Sequence, residues 1–214
     1  MLDNGVRFNK KVLLCELEDM PRDRIFREWV ERLNEYYIQL ATTADGDGNG
    51  FGSLILQLCA LDAFASIVES NRSTETKIRS VCERLILRQQ DAEHDSGTNR
   101  FDHLSDSQIK KISKFMYQQY RCGLVHNGFT LQIGEYARNN EPDHIFLISY
   151  TEAKAFNMRA VERKNAFIVN PERFRYLLQA ELDAALRTDR SQHETWGRKL
   201  LGLLTEEIAI ARAV

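Results

Sequence analysis

Proline is scarce: Pro21, Pro142 and Pro171 are the only three in 214 residues. With so few residues that break a helix, a Pro-rich linker architecture is excluded and long uninterrupted segments remain. The four cysteines, Cys15, Cys59, Cys82 and Cys122, include no CxxC spacing, which excludes the zinc-ribbon and thioredoxin-like patterns. Three of them fall inside apolar helical stretches as small hydrophobes do, and they read as reduced thiols with a cytoplasmic address. The segment MLDNGVRFNKK lacks the apolar run of a signal peptide, and no stretch is expected to reach the length that spans a bilayer, so no membrane partner is expected. Neither sign of charge dominates. With 29 basic against 31 acidic residues the net charge is −2, so any contact with a polyanion must come from a local patch. A content of 43% hydrophobic and 28% charged residues is that of a globular chain with one core and an appendage.

Between the prolines, apolar residues recur at helical spacing. A helix is predicted from Pro21, with Ile25, Trp29, Leu33, Tyr37 and Leu40 on one side, stopping at the glycine-rich ADGDGNGFG. A second, nearly all apolar, starts near Ser53 and carries Asp62 as the one charge in its middle. A third runs from Ser73 or Thr74 to about Arg88, followed by a loop over 91–104. The fourth starts at Ser105 or Asp106 and ends at Asn127 and Gly128, residues that tolerate the left-handed conformation of a helix end. The period then changes to two in FTLQIGEY, HIFLISY and AFIVNP, which predicts a small antiparallel sheet. Helix resumes at Pro171, and a last helix is predicted over about 194–212. The expected organisation is a single domain, 1–214, with its core in about 21–128 and 171–213 and a β-appendage in about 129–170.

Several signals fail on inspection. DGDGNG at 45–50 begins like a calcium loop, but the twelfth position, which needs a bidentate glutamate, holds Leu56. It is not a phosphate loop, because no strand precedes it and no Gly-Lys-Ser/Thr ending follows. His94, His103, His144 and His193 lack metal-ligand spacing and read as surface residues. No metal and no cofactor is expected.

The fourth helix ends in YRCGLVHNG. On an ideal helix Arg121 and His126 lie about 140° apart, flanking one face, with Cys122 and Val125 between them. An apolar residue on an outward face implies a cover, either elsewhere in the chain or a second subunit. Lys110, Lys114, Gln118 and Arg121 form one line along the helix, either a basic track for RNA or a solvated lysine face. Arginine and histidine together suit phosphodiester cleavage without a metal: the histidine takes the proton of a ribose 2′-hydroxyl while the arginine neutralises charge on the scissile phosphate.

The stretch FMYQQYRCGLVHNG resembles the signature of the HEPN superfamily, all-α domains in which an Arg-x(4–6)-His motif closes the last helix of a short bundle. The apolar LILQLCALDAFASIV with its embedded acid, the β-extension after the motif, and IVNPERFRYLLQAELDAAL resuming helix agree with it, over about residues 50–190. The resemblance implies a mainly α, HEPN-like bundle acting as a homodimer and cutting RNA without a metal, in toxin or antiviral systems where a neutralising antitoxin protein is a further partner. Arg121 and His126 then take the catalytic positions, with Asp62, Asn127 and Cys122 as supporting residues and Lys110 and Lys114 as RNA contacts. Asp62 either orients His126, pairs with Arg121, or serves only as a structural salt bridge. Asn127 contacts phosphate or caps the helix. In the family the residue after the motif arginine is often Asn, Asp or His; here it is Cys122. That departure keeps open a non-catalytic module that binds RNA or a nucleotide, and a scaffold whose motif helix serves dimerisation.

Overall fold

A computed structural model describes residues 5–70, 73–95, 104–118, 121, 144–161 and 164–213. The chain is mainly α-helical, with one small three-stranded sheet among the described residues. It divides into two compact units, one of Met1–Gln39 with Gln179–Val214, the other of Leu40–Leu178.

In the first unit, a turn of 3-10 helix at Leu14–Asp19 leads to α1, Arg22–Leu33. Pro21 stands just before α1, and its carbonyl accepts from the amides of Arg24 and Ile25 at 3.0 and 3.1 Å. The α1 stripe of Ile25, Phe26, Trp29, Val30 and Leu33 is buried as the spacing predicts. A π-helical turn, Asn34–Ile38, follows directly and joins α2, Gln39–Gly46. Its wider bonding adds a residue to the turn and rotates what comes after. Ile38 and Ala41 therefore take the inward positions, and Leu40, expected on the buried side, is 51% exposed.

The last predicted helix is two helices. With α6 taken as Pro171–Leu186, they are α7, Arg190–Leu203, and α8, Thr205–Ala213, separated at Leu204 with φ −105° and ψ 7°. The Asp189 side chain caps α7 by accepting from the Gln192 amide at 2.9 Å. Here α1 and α7 pack closely around Phe26, whose ring centroid lies 4.6 Å from Trp196 and 5.1 Å from His193. His193 is fully buried, which corrects its expected surface position, and its Nε2 stands 2.8 Å from the Ala185 carbonyl. The approach is close enough to demand a residue without a side chain: a Cβ on Gly197 would stand 1.8 Å from the Arg22 carbonyl oxygen.

In the second unit, α3 covers Gly50–Val68, starting three residues before Ser53 because the Asn49 side chain caps it through the Gly52 amide. Gly48, at φ +72°, supplies the left-handed residue that turns the chain between α2 and α3. Contrary to expectation, this one helix is long and apolar enough by length and composition to cross a membrane, and half of that stretch is buried within the chain. Leu54, Leu58, Leu61, Phe64 and Ala65 face inward, while Phe51 is exposed and Cys59 and Asp62 are half-buried.

Helix α4 spans Thr74–Asp95 and runs into the predicted loop. Helix α5, Asp106–Phe115, opens with a capping box in which Ser105 and Gln108 bond each other's amides. Beyond it, 116–118 and 121 are π-helical. The 140° separation expected of Arg121 and His126 rests on residues outside those described.

The sheet holds β1, His144–Ile148, β2, Phe156–Val161, and β3, Lys164–Val169, in the order β1-β3-β2. It is mixed, not antiparallel as expected: β3 pairs antiparallel with β2 but parallel with β1, Phe146 opposite Phe167. The strand predicted at FTLQIGEY lies outside the described residues. Two amides fasten the sheet to its neighbours. The buried Gln89 of α4 accepts from the Ala155 and Phe156 amides through Oε1 at 3.0 and 3.2 Å and donates from Nε2 to the Phe156 carbonyl at 3.5 Å. Asn170 donates to the carbonyls of Tyr150 and Glu152 at 3.1 and 2.7 Å and caps α6 by accepting from the Arg173 amide.

Candidate active site

The inward stripe of α5, Ile109, Ile112, Phe115 and Met116, is buried. It leaves Lys110 exposed and Lys114, Tyr117 and Gln118 half-buried on the other side. Lys110 and Lys114 stand at i, i+4 spacing on that side of α5, and Tyr117, three residues on, is half-buried beyond them.

Arg121 meets α3 at the end of that line. Its Nε and Nη2 donate to Asp62 Oδ2 at 3.1 and 2.5 Å, both on one oxygen rather than as a fork across two. The side chains are 15% and 25% exposed, so the pair is shielded from much of the solvent that weakens a surface ion pair. The Arg121 guanidinium carbon also lies 5.8 Å from the centre of the Tyr117 ring. Asp62 takes two of the guanidinium's five N–H groups.

Cys59, one turn before Asp62, borders the pair. Burial pushes its thiol up from the ordinary value, and the Asp62 carboxylate adds to this while Arg121 opposes it. The thiol is therefore kept protonated and is a poor nucleophile. Neither Cys59 nor Tyr117 was singled out by sequence reasoning, although i, i+3 spacing from Asp62 and i, i+4 spacing to Arg121 carried the information. His126, Cys122 and Asn127 lie outside the described residues.

The aspartate that opens DGDGNG is engaged elsewhere. Asp45 Oδ1 accepts from the Tyr150 hydroxyl at 2.8 Å and Oδ2 from Arg175 Nε at 3.0 Å. Burial first, and then the hydrogen bond to Asp45, raise the Tyr150 phenol well above its usual value. Among the described residues no group of three His, Cys, Asp or Glu side chains is placed to hold a metal ion.

Fold and site thus define a mainly α chain with a half-buried arginine–aspartate pair at the end of a basic helix face. No protein-family model, curated protein or solved structure matches this chain.

Proposed function

We propose that the protein is a metal-independent endoribonuclease of HEPN type, acting in the cytoplasm as a homodimer within a toxin or phage-defence system whose neutralising partner is a protein. Arg121 clamps the scissile phosphate, and His126 takes the proton from the ribose 2′-hydroxyl. Lys110 and Lys114 guide the strand toward them by charge. The observation that supports this reading best is the Asp62–Arg121 pair. The motif arginine is tied to the one acid of the apolar helix, which gives the guanidinium a fixed address. A positioned group of that kind suits charge stabilisation, because little reorganisation is needed when charge develops.

The same ion pair also favours a second reading, in which Arg121 only joins two helices of a scaffold. Cleavage separates them. Purified protein incubated with single-stranded RNA in EDTA should yield products ending in 2′,3′-cyclic phosphate, and 2′-deoxy substitution at the cut site should block the reaction. Replacing His126 by Ala should slow cleavage on the order of a hundredfold or more, the usual worth of a positioned base. Cleavage that requires magnesium, or that is indifferent to His126→Ala, defeats the nuclease assignment. Tight binding of RNA or a nucleotide without cleavage supports a binding module instead.

A further inference from the structure

We infer that Tyr117 is a positioning residue for Arg121, an inference that rests on the nuclease reading above. An arginine that meets a developing charge must be held in both place and tilt, since a misplacement of about 1 Å can cost on the order of a hundredfold in rate. Asp62 fixes one edge of the guanidinium through Nε and Nη2, on a single oxygen. An edge contact to one oxygen does not by itself set the tilt of the guanidinium plane. Tyr117, four residues earlier in the chain, supplies a contact on the face. Its ring centre is 5.8 Å from the guanidinium carbon, within the range over which a cation is drawn to an aromatic face. A face contact acts on the tilt that the edge contact alone does not set.

The placement separates this role from core packing. Tyr117 is half-buried and stands outside the buried stripe of Ile109, Ile112, Phe115 and Met116. It also separates it from ground-state attraction of the strand: Lys110 and Lys114, farther along the face, act through charge, so their loss weakens binding and its salt dependence. A ring that orients the arginine acts instead on the transition state, so its loss lowers kcat more than it raises KM.

The experiment is steady-state cleavage of single-stranded RNA in EDTA by the wild-type protein, Tyr117→Phe and Tyr117→Leu, with the melting temperature of each. Phe keeps the aromatic face and should stay within about twofold of wild type. Leu should lower kcat by on the order of ten- to a hundredfold with KM within about threefold, at an unchanged melting temperature. A Leu variant as fast as wild type overturns the inference while the nuclease reading stands. So does a Phe variant as slow as Leu, a change confined to KM, which would put the ring on the RNA, or a loss of rate that tracks a fall in melting temperature. Wild-type protein that does not cleave RNA in EDTA removes the nuclease reading and this inference with it.

Discussion

Replacing Gly197 by Ala sets two well-calibrated effects against each other. Gly197 lies inside α7, where alanine is favoured over glycine by about 1 kcal/mol, so helix propensity alone predicts a more stable protein. The new methyl, however, would sit 1.8 Å from the Arg22 carbonyl oxygen and 2.7 Å from its carbon, atoms of the α1 backbone that cannot swing aside as a side chain can. A carbon and a carbonyl oxygen in contact stand at about 3.3 Å or more, so α1 and α7 must part by roughly 1.5 Å. Gaps of that size forfeit much of the dispersion energy between facing groups, here Phe26 against Trp196. Overpacking of this kind costs about 1–3 kcal/mol and sometimes more, and because the obstruction is backbone the upper end applies. The net loss should be about 2–3 kcal/mol, a fall of roughly 4–12 °C in melting temperature for a chain of this size. Gly202→Ala is the matched control on the same helix: nothing lies within 4 Å of its Cβ position, so it should hold or gain up to about 1 kcal/mol. Thermal melts by circular dichroism measure both. A Gly197→Ala protein that melts at or above wild type would refute the close packing of α1 on α7.

Three further outcomes are expected. Gln89→Ala removes three hydrogen bonds to the start of β2 and leaves the Phe156 amide and carbonyl buried without them, which should lower stability by about 2–4 kcal/mol in a urea melt; a loss under about 0.5 kcal/mol would contradict it. The Asp189 carboxyl is held below the ordinary aspartate value by its bonds to the Ser191 hydroxyl and the Gln192 amide. A lowered folded-state value means that the cap stabilises above about pH 4 and fades as pH falls through the folded value, so Asp189→Ala should lower the melting temperature at pH 7 but much less at pH 3; equal effects at the two would contradict it. Burial pushes the Cys82 thiol up to about 12, so a thiol reagent at pH 8 should modify it only after unfolding, as mass spectrometry of the labelled peptides would report.

Helix starts were legible where local chemistry fixes them. Ser105 with Gln108 three residues on announces a capping box, and the spacing of Ile25, Trp29 and Leu33 announces a buried stripe. What escaped depends on departures from ideal periodicity or on distant partners. The π-helical turn at Asn34–Ile38 has no signature residue, so regular spacing puts the inward position one residue too early, at Leu40 instead of Ala41. Strand β2 carries a signal that was passed over, Phe156, Met158 and Ala160 alternating with Asn157 and Arg159. Its pairing with β3, and the parallel placing of β1 on the far side of β3, are set by packing and not by any local pattern. His193 is buried on a helical stripe with Trp196 and Leu200, whereas a helix expected to start only at about 194 leaves it in a loop at the surface. At the candidate site, a lone acid inside an apolar helix pointed to a charged partner, but α3 and the end of the α5 face meet only through tertiary packing, 59 residues apart in sequence.

The amide of Gln89 does for β2 what another strand would do. In the order β1-β3-β2, β2 is an edge among the described strands, and an edge strand offers its backbone N–H and C=O groups to any extended chain that drifts past. Gln89 meets Phe156 with a carbonyl for its N–H and an amide for its C=O, the donor–acceptor pattern of one rung of a ladder. The first rung that an invading strand would need at the start of β2 is already taken by a side chain rooted in a helix, and one residue guards that end of the strand against recruitment of a neighbour.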